Sequence, residues 1–161
     1  MEKQVHNFAP VYDKDSKYLF LGSFPSVKSR NKSFYYMHPK NRFYPLLEKV
    51  FKDEFTTENI DKKIKLLNKH HIALFDVVKS CEIHGSSDSS IKNIELNNID
   101  EIINNSKIKT IILNGKLAYS LFIKHFPHLL DKAYYLPSTS PANAKCSLND
   151  LEKFLLEIIN K

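Results

Sequence analysis

The residues best placed for chemistry lie in two polar strings, each of which follows an apolar, strand-like run. The first string, residues 20–45, reads FLGSFPSVKSRNKSFYYMHPKNRFYP, and the second, residues 136–144, reads LPSTSPANA. Both are richer in polar side chains than connecting loops usually are. Loops that leave the carboxyl ends of strands form the binding sites of open α/β sheets, so the two strings predict one shared pocket.

The elements that must position these loops alternate between strands and helices. Short apolar runs predict strands, and apolar residues at helical spacing predict the helices between them. The predicted strands are residues 18–21, 72–75, 108–113 and 133–136. The predicted helices are residues 43–51, 58–69, 99–104 and 116–125, and a last helix that starts at Ser147 with Asp150 completing a capping box.

Strands that are separated by helices imply parallel pairing with right-handed crossovers. We therefore predict the α/β class: a three-layer α/β/α sandwich with a central, mainly parallel four-stranded sheet. With 161 residues the chain can bury a core of its own, so residues 1–161 are predicted to form one domain.

Composition limits the choice of partner. The net charge of +6 favours a polyanionic partner, although many basic proteins bind none. No stretch is apolar for long enough to span a bilayer, and the N-terminus lacks the features of a secretory signal, so we expect a cytoplasmic protein. Cys81 and Cys146 stand too far apart for a metal-ligand motif, so we expect two reduced thiols and no metal.

Polar residues follow all four predicted strands, at one edge of the sheet. The exits are the GSFPS loop, Asp76, Asn114 with Gly115, and the second string. Each has an alternative structural explanation, because Gly, Pro, Asn and Asp also form turns. Asp76 can contact a substrate or cap the turn that follows it, and capping is the more common reason for an Asp there.

The motifs together resemble a known family. GSFPS, YYMHPKNRFYP, LFDVVKSCEIHGSSDSSIKN, LNG and LPSTSPANA occur in the order and spacing of the uracil-DNA glycosylase superfamily, and of its hypoxanthine (deoxyinosine) DNA glycosylase branch. The resemblance covers about residues 20–144. It implies a DNA glycosylase that acts in base-excision repair as a monomer, with DNA containing a deaminated base as its partner and no cofactor.

The resemblance also implies roles for two amides. The GSFPS loop lacks the acidic or amide residue that orients water in uracil-specific relatives, and in this branch Asn41 of the HPxN segment takes that role. Asn114 is implied in contacting the target base. The chain departs from many members in having Tyr44 and Phe75 where they carry Trp, which keeps an aromatic surface.

The chemistry of these side chains is consistent with the implied roles. The Asn41 carbonyl oxygen can hold a water at the anomeric carbon, as an orienting group that takes no proton. Asn114 can pair with the adjacent C=O and N–H of hypoxanthine or uracil, provided that neighbours stop its amide from flipping. Gly22, Ser23 and Phe24 are predicted to contact the extruded base, with the Phe24 ring stacked on it.

The second string is predicted to contact DNA. Hydroxyl and N–H groups of Ser138, Thr139 and Ser140 can hold phosphates. Asn143, Ala144 and Lys145 are candidates to fill the gap that the flipped nucleotide leaves. Two other functions stay open: a glycosylase specific for uracil or a G·T mismatch, and a nucleic-acid-binding module without catalysis.

Overall fold

A computed structural model of the protein describes residues 3–161, apart from the side chain of Asp88. The strands are β1 (Lys3–Val5), β2 (Tyr18–Gly22), β3 (Ile72–Asp76), β4 (Val78–Glu82), β5 (Lys92–Leu96), β6 (Thr110–Asn114) and β7 (Ala133–Leu136). The α-helices are α1 (Val27–Lys32), α2 (Phe43–Phe51), α3 (Ile60–Lys69), α4 (Ile99–Asn104), α5 (Lys116–His125) and α6 (Leu148–Ile159). Within residues 3–161, none of the helices is long and apolar enough to cross a membrane.

Four parallel strands form the central sheet, in the order β3, β2, β6, β7. Because side chains alternate along a strand, Phe20 and Ile112 pack with α2, α3 and α6, whereas Leu19 and Leu21 pack with α4 and α5 on the opposite face. The sheet is therefore buried between two helical layers. This arrangement confirms the predicted three-layer α/β/α fold.

Local signals placed most elements correctly. The predicted bounds of α2, α4, α5 and β7 match the structure, and Ser147 and Asp150 form the predicted capping box of α6. Helix α3 begins at Ile60, later than predicted, because the Asn59 side chain accepts the Lys62 N–H at 3.0 Å and caps the helix there.

The prediction missed α1 and a second sheet. Strands β1, β4 and β5 form an antiparallel sheet, and no strand was predicted over any of these three segments. β5 is polar and largely exposed, so it lacks the apolar alternation that marks a strand. This sheet extends the site, because β4 follows β3 after one residue and carries the N-terminal segment towards the strand exits.

One lysine, in helix α3, is buried. Lys63 of α3 is only 4% exposed, and its ammonium donates to the Phe55 carbonyl oxygen at 2.8 Å. It also lies 3.8 Å from the ring centroid of Tyr44. Desolvation lowers the pKa of Lys63 to about 8. The negative charges of Glu48 and Glu58 raise this pKa, but by less than desolvation lowers it.

We expect Lys63 to make folding stability rise with pH. The folded pKa of about 8 lies below the ordinary 10.5, so between these values the unfolded chain binds more protons and stability increases with pH. Denaturant unfolding at about pH 7 and about pH 10 should show this rise in the wild type and lose it in Lys63→Met. The exposed Lys62 is the control, since Glu54 raises its pKa. An identical pH dependence in wild type and Lys63→Met would contradict the account.

Candidate active site

The carboxyl ends of the parallel strands surround a cavity of about 610 Å³. Its wall includes the last residues of β2, β3 and β6, which are Gly22, Asp76 and Asn114, and the loop after β7 closes the other side. The predicted site residues that line it are Gly22, Ser23, Phe24, Asn41, Asn114, Ser138, Thr139, Ser140 and Asn143. The two polar strings therefore line one cavity.

Thr139 fixes the orientation of the Asn114 amide. The Thr139 N–H donates to Asn114 Oδ1 at 3.0 Å, and Asn114 Nδ2 donates to Thr139 Oγ1 at 3.0 Å. Because a backbone N–H can only donate, the atom that faces it must be the amide oxygen, and a flipped amide would lose this bond. Both polar atoms of Asn114 are engaged by Thr139, and the Asn114 side chain also lies within hydrogen-bonding reach of the Tyr36 hydroxyl.

Asn41 is joined to the same network. Its Oδ1 accepts the Thr139 hydroxyl at 2.8 Å and the Phe43 N–H at 2.9 Å. The second bond is a turn contact that holds the start of α2. Asn41 is thus both a turn residue and a wall of the cavity, and Asn41, Thr139 and Asn114 form one hydrogen-bonded chain.

The surroundings of Thr139 differ from those expected of a residue that contacts a phosphate. It is 1% exposed, its N–H is bonded to Asn114, and its hydroxyl lies between Asn114 and Asn41. A phosphate cannot reach these groups in this conformation. The prediction failed here because the residue lies in a polar loop, yet the sequence does not show that its side chain turns inwards.

The remaining residues of the loop after β7 face outwards to different degrees. Ser138 Oγ accepts the Ser140 N–H at 3.1 Å, and Ser140 Oγ accepts the Ala142 N–H at 3.2 Å. Asn143 is half-buried, with Nδ2 donating to the Ser138 carbonyl oxygen at 3.0 Å. Lys145 is exposed beside a second cavity of about 400 Å³, which lies between this loop and α6.

Arg42 holds this loop in place. Its guanidinium donates to carbonyl oxygens all along the loop, including those of Ser140 at 3.0 Å and Asn143 at 2.9 Å. The other acceptors are the carbonyl oxygens of Ser138, Thr139 and Cys146. Because Arg42 follows Asn41 directly, one dipeptide links the catalytic candidate to the loop that is predicted to contact DNA.

The wall also contains a buried carboxylate. Asp76 Oδ2 lies 2.9 Å from His6 Nε2, and the two side chains are 5% and 2% exposed. Asp76 Oδ1 turns towards Gly22, where a Cβ atom would stand only 2.6 Å from it. The absence of a side chain at Gly22 is therefore what lets the carboxylate approach the cavity.

We expect Gly22→Ala to disturb the site. The new methyl group would overlap Asp76 Oδ1, which His6 prevents from moving freely, so the free energy of unfolding should fall by about 1–3 kcal/mol. Thermal unfolding would measure this loss. Stability equal to that of the wild type would contradict the close approach.

Tyr36 adds a hydroxyl beside Asp76 and Asn114. Its ring stacks on Phe43 at 4.0 Å, with its backbone in the left-handed region at φ 57°. Burial raises the pKa of Tyr36, the charge of Asp76 raises it further, and a hydrogen bond with the Asn114 side chain lowers it by less. Among the described residues the buried hydroxyl has no hydrogen-bond partner of normal geometry. It is a polar group in the cavity wall beside Asn114.

Phe24 lines the cavity, and its ring also packs against apolar residues of the surrounding core. It is 9% exposed and belongs to a small apolar cluster with Val78, Cys81 and Ile83. The Arg30 guanidinium lies 5.3 Å from its ring centroid. The ring is thus held firmly at the wall of the cavity.

Neither cysteine forms a disulfide, and Cys81 is buried. Across the part of the chain that the structure describes, no three His, Cys, Asp or Glu side chains are grouped so that they could hold a metal ion. The side chains that line the cavity include amides, hydroxyls, aromatic rings and the Asp76 carboxylate, together with Lys116 at the start of α5. This is a set suited to hydrogen bonding a planar ligand.

Sequence reasoning missed three of these residues. Arg42 was visible beside Asn41, but nothing local indicates that it binds carbonyl groups about 100 positions away. Tyr36 had no signal beyond its place in the first string. His6 lies outside both strings, and the unpredicted sheet brings it against Asp76 of the cavity wall.

Comparison with known proteins agrees with this geometry. Residues 9–161 match the family model of the uracil DNA glycosylase superfamily. A hypoxanthine DNA glycosylase from Methanosarcina acetivorans is 34% identical over 148 residues, 88% of this chain and 90% of that protein. A hypoxanthine DNA glycosylase from Methanosarcina barkeri is 33% identical over 117 residues, 72% of this chain and 73% of that protein.

A solved structure has the same fold. The solution NMR structure of a candidate uracil DNA glycosylase from M. acetivorans superposes with a TM-score of 0.82 and 30% identity, covering 95% of each chain. The chain belongs to the uracil DNA glycosylase superfamily, as its motifs predicted. Membership of this family supports DNA glycosylase activity, with DNA as the substrate.

Proposed function

We propose that the protein hydrolyses the N-glycosidic bond of deoxyinosine in DNA and releases hypoxanthine by attack of water. The observation that carries the proposal is the chain Asn41–Thr139–Asn114, which joins the water-orienting candidate to the base-binding candidate at the wall of one cavity. The two relatives named hypoxanthine DNA glycosylase support this choice of base.

Recognition of the base would use donors and an acceptor together. Hypoxanthine presents a carbonyl beside a ring N–H, whereas adenine presents an amino group beside a ring acceptor. The second N–H of Asn114 Nδ2 and the neighbouring Tyr36 hydroxyl can both donate to the carbonyl oxygen. The Asp76 carboxylate can accept the ring N–H. Asn114 alone would not pair bidentately here, because Thr139 already binds both of its polar atoms.

Asn41 and Thr139 would hold the attacking water. Cleavage develops positive charge on the sugar and negative charge on the departing base, so the water must be held at the anomeric carbon. Asn41 Oδ1 already accepts two hydrogen bonds, from the Phe43 N–H and the Thr139 hydroxyl. Rotation of the Thr139 hydroxyl would free Asn41 Oδ1 to accept a hydrogen bond from the water. No lysine is assigned as a nucleophile, so the product would be an abasic site without strand cleavage.

DNA would lie across the mouth of the cavity as a single nucleotide enters it. Ser138 and Ser140 would contact phosphates, and Ala144 and Lys145, with Asn143 at their base, would enter the space left in the duplex. The net charge of +6 would assist binding. One chain can enclose one flipped nucleotide, so the protein would act as a monomer, in the cytoplasm, with no cofactor.

Labelled duplexes that carry one hypoxanthine, uracil or G·T site test this function. Single-turnover reactions followed by alkali should reveal cleavage at hypoxanthine, and borohydride should trap no protein–DNA adduct. Uracil presents the same carbonyl and N–H pair, so faster cleavage at uracil would instead favour the uracil-specific alternative. Binding without cleavage of any lesion would favour the binding module and overturn the proposal.

A further inference from the structure

The N-terminal segment brings a histidine to the rear of the cavity. β1 pairs antiparallel with β4, and the His6 N–H continues this pairing by donating to the Lys79 carbonyl oxygen at 2.7 Å. This contact directs the His6 side chain towards Asp76, whose Oδ2 lies 2.9 Å from Nε2. A segment remote from both polar strings therefore reaches the candidate active site.

Aromatic rings hold His6 in one orientation. The ring centroids of its neighbours lie at 4.4 Å for Phe8, 5.3 Å for Phe75, 5.7 Å for Tyr35 and 6.4 Å for Phe24. Packed interiors leave little room for a different rotamer. Because an ionised carboxylate can only accept, Nε2 is the donor in the bond to Asp76.

The two oxygens of Asp76 thus have different surroundings. Oδ2 is bound by His6, which is not among the residues that line the cavity, and Oδ1 turns towards Gly22, which is. If His6 were absent, Oδ2 would be a buried acceptor without this donor, and the carboxylate could rotate. The position of Oδ1 therefore depends on His6.

We propose that His6 is a positioning residue for the reaction, acting through Asp76, so that the segment after β1 supports the active site. This inference rests on the proposed function. A carboxylate that accepts the ring N–H would repel the negative charge that develops on the departing base. A hydrogen bond from His6 draws charge towards Oδ2 and reduces that repulsion, while it keeps Oδ1 in place.

Single-turnover excision of hypoxanthine tests this role. His6→Phe keeps an aromatic ring in the cluster but removes the donor, and should lower the maximal rate about 10- to 100-fold. The enzyme concentration that gives half of the maximal rate should change less than about 3-fold, because the substitution leaves the residues that are proposed to contact DNA unchanged. His6→Gln places an amide nitrogen near the position of Nε2 and should keep most of the rate, whereas the shorter His6→Asn should lose it.

A double-mutant cycle separates positioning from folding. In an Asp76→Ala background, His6→Phe should change the rate less than about 2-fold, because the group through which it acts is gone. His128→Phe is the matched control, since it removes a His–Asp contact of 2.7 Å at an exposed site and should leave excision unchanged. If His6→Phe fails to fold, the comparison of His6→Gln with His6→Asn answers the same question.

The outcomes are distinguishable. If the wild-type protein is active, two results would overturn the positioning role alone. One is a His6→Phe rate equal to that of the wild type; the other is a rate loss from His6→Phe that is as large in the Asp76→Ala background as in the wild type. Loss of the rate in both His6→Gln and His6→Asn would also overturn it. Wild-type protein that excises no lesion would overturn the proposed function and this role with it.

Discussion

Replacement of Asn41 by alanine is expected to lower the single-turnover rate of hypoxanthine excision about 100- to 1,000-fold. The substitution removes the oxygen that would hold the attacking water and breaks the bond to Thr139. It also removes the acceptor of the Phe43 N–H, so the free energy of unfolding should fall by about 1 kcal/mol. Excision should therefore be measured well below the unfolding temperature of the variant.

Matched variants separate the two roles of Asn41. Asn41→Asp keeps an oxygen that can accept from Phe43, Thr139 and water, so it should excise faster than Asn41→Ala. Asn160→Ala, at the exposed end of α6, removes an amide far from the cavity and should match the wild type. A full excision rate in Asn41→Ala would show that another group holds the water.

Replacement of Arg42 by alanine should have a comparable effect through a different route. The loop after β7 would lose a charged donor that serves five carbonyl groups, so we expect a loss of about 2–4 kcal/mol in the free energy of unfolding. Excision should fall at least about 100-fold, because Thr139 would no longer be held between the two amides.

Limited proteolysis can measure the cause of this loss. Residues 137–147 should become sensitive to protease in Arg42→Ala before the rest of the chain unfolds. Arg42→Lys should fall between wild type and Arg42→Ala, because an ammonium cannot match the planar fork of a guanidinium. Lys124→Ala, an exposed charge at the end of α5, is the control. If residues 137–147 stayed as resistant to protease as in the wild type and Arg42→Ala excised normally, the proposed role of Arg42 in holding this loop would be contradicted.

The parts of the fold that the sequence could predict are those with local causes. Capping at Ser147 and the apolar spacing of α2 and α5 depend on neighbouring residues, and these elements were placed correctly. Strand β5 is different, because its polar residues form a strand only through pairing with β4. A single sequence does not reveal that partner.

The same distinction applies to the site. The strand exits predicted where the cavity would be, since parallel strands end at one edge of the sheet. The contacts within it join residues that are far apart in the chain: Asn41 and Thr139 are separated by 98 positions, and His6 and Asp76 by 70. Whether a hydroxyl faces a phosphate or an amide depends on such contacts, and for this reason the role of Thr139 could not be predicted.

The most direct test of the central claim is to measure the free base released from a duplex with one deoxyinosine. We predict that wild-type protein releases hypoxanthine in an amount equal to the alkali-sensitive sites that it creates, and that Asn41→Ala releases little in the same time. Absence of free hypoxanthine at excess wild-type enzyme, or cleavage of the strand without alkali, would contradict a hydrolytic deoxyinosine glycosylase.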